Sequence, residues 1–356
     1  MIGGAETLLA NSLSAGGLQD QTDNIVVYFQ GTSALMDRID KRVKIYCLEY
    51  KGVQSLPRVF FRLRKIIKED GIDIIHSHLN PAGFYTHLIV PRKIPQVHTL
   101  HIAYSSDIET KQNKIYFEKN LYFQKKSCNI ILLSDFMKED LLRSIRFKGK
   151  AFVLNNFVAD VFFKKNSKEY KNNSNGLHIV AAARLNEVKN FEYLLTVFTY
   201  LKEKNIFLDI YGSGDTGKYE KIIYETGVKV KMMGVHNNLS DVLCTYDLFI
   251  LPSKNEGFPL SVFEAMASGV PLALSDIAPV KSVVKDNAVY FKLDDAKGTA
   301  DILVAIQENI IDINGMARQA TLYAEQTARR DTYIKKLLSI YEEILATDTT
   351  EKQHFA

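Results

Sequence analysis

The chain has 356 residues, 46% of them hydrophobic and 24% charged, which is enough for two domains with full cores. No apolar run approaches the ~18 residues a membrane helix needs, and the start MIGGAET lacks the basic and apolar regions of a secretion signal, so the chain reads as cytoplasmic. Of the net charge of +4, residues 1–160 hold 22 Lys+Arg against 16 Asp+Glu and residues 161–356 hold 23 against 25, a first-half excess that a membrane surface or an anionic lipid-linked substrate could use but that reads as a solvated face; no nucleic-acid partner is expected.

Short apolar runs rich in β-branched residues alternate with amphipathic segments. The first helix is expected over 5–13, directly behind Gly3 and Gly4, and strands follow at 24–30, 43–48, 72–76, 96–101, 129–133 and 151–154. Between the second and third strands, SLPRVFFRLRKIIKEDG (55–71) interleaves Arg58, Arg62, Arg64, Lys65 and Lys68 with apolar residues. It reads as a packing helix with a basic outer face; a helix lying on a membrane surface is the sharper alternative. The polar stretch 164–176 reads as linker, and the pattern restarts with strands at 178–182, 208–211, 229–233, 248–251, 271–275 and 288–291. The expected division is a first domain over 1–160, a linker over 161–176, a second domain over 177–330, and a last helix and tail over 331–356 that pack back toward the first domain.

Strand–helix alternation at this spacing implies right-handed crossovers and parallel sheets covered on both faces, so the fold class is α/β with two doubly wound domains facing a cleft. Ligands of such sheets bind beyond the carboxyl ends of the strands. A domain of this kind opens with a buried central strand. Here the glycine turn comes first, and the expectation is a first domain without its first strand, as a truncated or unusual start would leave it.

The turns carry the chemistry. GSGDTG (212–217) formally matches a dinucleotide-binding turn, but the next strand ends without the carboxylate that would hold a ribose, so Gly212 and Gly214 read as a tight turn lining the cleft. No D-x-D pair suggests a metal, and Cys47, Cys128 and Cys244 have no ligand spacing. Arg184 and Lys189, after the first strand of the second half, supply a planar fork and a point charge suited to phosphate oxygens. In EGFPLSVFEAMASG (256–269), Gly257 and Pro259 place a helix start between Glu256 and Glu264. The amides after Gly257, Phe258, Pro259 and Leu260 then offer an anion site, with Glu264 placed for ribose hydroxyls and Glu256 for sugar hydroxyls. Two carboxylates, two cations and a helix terminus suit a sugar carried on a nucleoside diphosphate.

These motifs together, R184-x4-K189, the GSG turn, LPS before E256-x7-E264, AMASGVP after it and GGAE at the start, resemble glycosyltransferase family 4. The resemblance implies the GT-B fold, two Rossmann-like domains, and retaining transfer from a nucleoside diphosphate sugar, UDP- or GDP-linked, without a cofactor or metal. It implies that Arg184 and Lys189 bind the diphosphate, Glu256 the sugar and Glu264 the ribose, with Gly3 and Gly4 near the reaction centre. Among the histidines of HSH (76–78) and HTLH (98–101), it favours His101 as catalytic, with His76 and His78 on the acceptor side and His98 ranked lower. The implied acceptor is a glycan or a lipid-linked glycan of bacterial cell-surface polysaccharide synthesis, with peripheral membrane contact through helix 55–71. A nucleotide-sugar epimerase on the same scaffold and an inactive binding member are the alternatives.

Overall fold

The computed structural model describes residues 4–31, 35–91, 94–105, 128–164, 176–236 and 238–353. Residues Met1–Asn156 with Arg330–Ala356 form one compact unit, and Phe157–Arg329 form a second. Gly3 and residues 165–175 of the expected linker lie outside the described residues.

In chain order the first unit runs α1 (Gly4–Ser12), β1 (Ile25–Tyr28), β2 (Lys44–Cys47), α2 (Leu56–Glu69), β3 (Ile75–His78), α3 (Asn80–Ile89), β4 (Gln96–Leu100), β5 (Asn129–Leu132), α4 (Asp135–Ser144) and β6 (Lys150–Val153). The second continues with β7 (Leu177–Ala182), α5 (Phe191–Thr199), β8 (Ile206–Tyr211), α6 (Gly217–Thr226), β9 (Val230–Gly234), α7 (Leu239–Leu243), β10 (Leu248–Leu251), α8 (Leu260–Ala267), β11 (Leu272–Ser275), α9 (Ala278–Val284), β12 (Val289–Phe291), α10 (Ala296–Gln307) and α11 (Ile313–Thr327). The last helix, α12 (Arg330–Gln353), belongs to the first unit, where Lys150 Nζ reaches Glu343 Oε1 at 2.8 Å.

In the second unit six parallel strands lie in the order β12-β11-β10-β7-β8-β9. Helices on both faces explain why LFIL and LALS are buried at every position, an apolar run rather than an alternation. Strand order reverses between β7 and β10, and in a doubly wound sheet the crevice beyond the carboxyl ends opens there. Helix starts follow local chemistry: Asp295 accepts the Gly298 amide at 2.7 Å to cap α10, and Asp312 accepts those of Asn314 and Gly315 to cap α11.

In the first unit the strands form two parallel pieces, β1-β2 and β3-β4-β5-β6. Helix α2 buries Val59, Leu63, Ile66 and Ile67, one stripe at helical spacing, in a core that also takes Val27 of β1, Phe29 just past it, Tyr46 of β2, Ile75 of β3 and Tyr85 of α3. One apolar layer therefore underlies both pieces. All four residues of β1, IVVY, are nonetheless only half-buried. The third strand starts at Ile75 rather than at 72, because its register with β4 (His76↔Val97, His78↔Thr99) draws the whole HSH triplet into the sheet. Among the described residues no helix is long and apolar enough to cross a membrane.

Candidate active site

Three turns meet at the carboxyl edge of the second sheet. The turn after β7 carries Arg184 and Lys189, and the turn after β10 carries Glu256. The two are tied together where the Lys254 amide donates to the Val188 carbonyl at 2.8 Å. Lys189 Nζ forms an ion pair with Glu256 Oε1, and both side chains are largely buried. The Lys189 amide in turn donates to Asn186 Oδ1 at 3.1 Å, which folds the loop back at the required point. Arg184 differs: its side chain is exposed and has no hydrogen-bond or ion-pair partner among the described residues, so its guanidinium fork is available to an anion.

Pro259 is the N-cap of α8, and the first backbone bonds of the helix run from the Val262 and Phe263 amides to the Pro259 carbonyl, at 3.0 and 3.3 Å. The amides of Leu260 and Ser261 find no acceptor among the described residues, as the first turn of a helix requires. The Phe258 ring stacks on Phe263 at 4.4 Å and buries the approach to the helix, which fixes its direction. Glu264 falls on the second turn. Burial pushes its carboxyl up to about 8, so it carries a proton at neutral pH and can donate as well as accept.

Gly212 and Gly214 hold the third turn close to the first. A Cβ on Gly212 would stand 1.9 Å from the Ala183 carbonyl oxygen, and one on Gly214 would stand 2.7 Å from the Leu185 Cβ. Gly214 also has φ +142, and the Ser213 carbonyl accepts the Leu185 amide at 2.8 Å. Backbone packing against the Arg184 turn is therefore sufficient reason for both glycines.

The first unit holds a separate cluster. Strands β3 and β4 put His76, His78 and Thr99 on one face, with His101 one residue past β4. His76 Nδ1 lies 2.6 Å from the Tyr341 hydroxyl of α12, and its Nε2 lies 2.7 Å from the Thr99 hydroxyl. His78 stacks on His76 at 4.2 Å, and its Nδ1 is 3.2 Å from His101 Nε2. Burial lowers His76 to about 3, His101 to about 4 and His78 well below the usual imidazole value, so all three rings are neutral at physiological pH. Among the described residues no group of three or more His, Cys, Asp or Glu side chains could hold a metal ion. His98 points to the opposite face, where its Nδ1 lies 3.0 Å from Ser77 Oγ and its ring occupies the space a side chain on Gly83 would need. Gly4 opens α1, and a Cβ on it would meet no atom of the described residues within 4 Å. Thr99 and Tyr341 are the partners that spacing did not reveal. A tyrosine 265 positions from His76 leaves no local signal.

Two family models match, one described as Glycosyltransferase Family 4 over residues 2–160 and one as Glycosyl transferases group 1 over residues 162–318. The chain is 25% identical over 320 residues, 82% of each protein, to UDP-Gal:alpha-D-GlcNAc-diphosphoundecaprenol alpha-1,3-galactosyltransferase of Escherichia coli. It is 22% identical over 355 residues to N,N'-diacetylbacillosaminyl-diphospho-undecaprenol alpha-1,3-N-acetylgalactosaminyltransferase of Campylobacter jejuni, covering 92% of this chain and 93% of that one. Among solved structures, HepE of Anabaena in complex with UDP-glucose superposes with a TM-score of 0.78 at 16% identity, covering 96% of this chain and 97% of that one, which shows a shared fold.

Proposed function

The chain belongs to glycosyltransferase family 4, with the GT-B fold, and on that premise we propose that it moves one sugar, with retention, from a nucleoside diphosphate sugar to a hydroxyl of a glycan or lipid-linked acceptor. The observation that carries this reading is the grouping at the carboxyl ends of β7 and β10: an unpaired Arg184, the Lys189–Glu256 pair, and the two unbonded amides that open α8. Negative charge grows on the diphosphate as the glycosidic bond breaks. Preorganised donors aimed at that charge lower the barrier because they need no reorganisation at the moment of reaction.

In this reading Arg184, Lys189 and the N–H groups of Gly257, Phe258 and Leu260 around Pro259, with that of Ser261, hold the diphosphate without a metal, Glu256 meets sugar hydroxyls, Glu264 meets the ribose, and Gly212 and Gly214 line the donor. His101 takes part in transfer, with His76, His78, Gly3 and Gly4 on the acceptor side. A diphosphate competes with Glu256 for the Lys189 ammonium, which frees the carboxylate for the sugar. The relatives named above act on lipid-linked diphospho-undecaprenol substrates, and one uses UDP-Gal, which favours a UDP-sugar donor and a lipid-linked acceptor. A cytoplasmic site of action at the membrane face and a role in bacterial polysaccharide synthesis complete the proposal. Arg184→Ala and Lys189→Ala should each lower turnover by about 10²–10³-fold, the usual cost of one such donor. Steady-state rates on a panel of UDP- and GDP-sugars measure this, and near-wild-type turnover in both variants would overturn the assignment.

A further inference from the structure

The His76–His78–His101 cluster is built to hold one ring in one direction. His76 is fastened at both nitrogens, to Tyr341 and Thr99, and therefore cannot rotate freely. His78 lies flat on it, 27° from parallel, so His78 cannot turn without displacing a doubly anchored neighbour. The residue directly after His78, Leu79, sits at φ +68, a conformation unfavourable for any residue with a side chain. Such strain persists only where the surroundings over-determine it.

Both rings of the His78–His101 contact are neutral, so one nitrogen donates and the other accepts. In a free neutral histidine side chain the proton favours Nε2. If His101 donates from Nε2 to His78 Nδ1, both rings take that favoured form; the reverse bond puts both in the less favoured one. His101 Nδ1 then carries a lone pair and has no hydrogen-bond partner among the described residues.

We propose that His78 is a positioning residue that accepts the Nε2–H of His101 and so presents His101 Nδ1 as the acceptor for a substrate hydroxyl. This rests on the reading above in which His101 takes part in transfer.

Two-bond proton–nitrogen correlation spectra of the full chain labelled with 15N-histidine test the proposal directly. Wild-type His101 should show a single neutral tautomer protonated at Nε2; a proton on Nδ1 would overturn the idea without any variant. His78→Phe keeps a ring to stack on His76 but offers no acceptor, and should shift His101 toward a tautomer mixture. His78→Asn sets an amide oxygen near the same point and should restore the wild-type pattern. With whichever UDP- or GDP-sugar of the panel the wild type turns over fastest, His78→Phe should lower kcat roughly 10–100-fold, as loss of an orienting partner does, with KM little changed and with recovery in His78→Asn. An unchanged tautomer in His78→Phe rejects the positioning role. A changed tautomer with unchanged kcat upholds it and rejects instead the participation of His101.

Discussion

Glu264 shows how burial and function pull on one group. Its carboxyl loses hydration on the second turn of α8 and is raised to about 8, so the free protein holds it mostly protonated at pH 7. Two hydroxyls of a ribose both donate best to an ionised carboxylate, so donor binding should lower that value and expel the proton. Binding of UDP at pH 7 is therefore expected to release up to about one proton. Calorimetry in two buffers of different ionisation enthalpy measures it, and Glu264→Gln should abolish the buffer dependence. Equal heats in both buffers with the wild type would show that Glu264 does not meet the ribose as a carboxylate. The Lys189–Glu256 pair belongs to the same scale. Each residue was visible as a candidate, but their contact across 67 positions required the β7 and β10 turns to be neighbours.

Helix α2 is the element whose two faces answer to different solvents. Its buried stripe anchors it in the first unit, and its outer face carries basic residues that are partly satisfied at home: Arg58 and Arg62 both reach Glu49, and Lys65 pairs with Glu69. Phe61, in contrast, is 74% exposed among them. A basic face with an aromatic outward suits an anionic lipid surface, and that is the contact proposed for this helix. Phe61→Glu should then reduce co-flotation with vesicles containing anionic lipid at low salt while leaving the thermal midpoint within a degree or so, since an exposed ring adds little to folding. Equal flotation of the two proteins would remove Phe61 from any membrane contact. The glycine turn after β8 is an element of the opposite kind: GSGDTG matches a dinucleotide-binding turn only formally and reads as a tight turn, and the approach of Ala183 and Leu185 is what demands its glycines.

Across the whole chain, the first unit should be sensitive to acid. His76, His78 and His101 are lowered on folding, chiefly by burial, while in the unfolded chain they titrate near 6.5. As pH falls through 6.5 the unfolded chain takes up protons first, so the stability of this unit is complete above that value and declines toward pH 4. Between pH 7 and 5 the loss is roughly 2 kcal/mol each for His76 and His101, and His78 acts in the same direction. Protection factors of peptides from β3 and β4, from hydrogen exchange corrected for the intrinsic pH dependence of amide exchange, measure it across this range, and His76→Gln should flatten the dependence; protection that does not vary with pH would contradict it. The α/β class, the restart of the pattern after 164 and the motif turns could all be read along the chain, because strand–helix alternation and turn chemistry are local and repeat at short range. The return of the last helix to the first unit is an expectation of the sequence as well, whereas the division of that unit's strands into two sheet pieces, the proton on Glu264 and the Tyr341–His76–Thr99 chain could not be read that way. Each depends on residues brought together from distant positions and on the water they exclude, and neither quantity exists until the chain has packed.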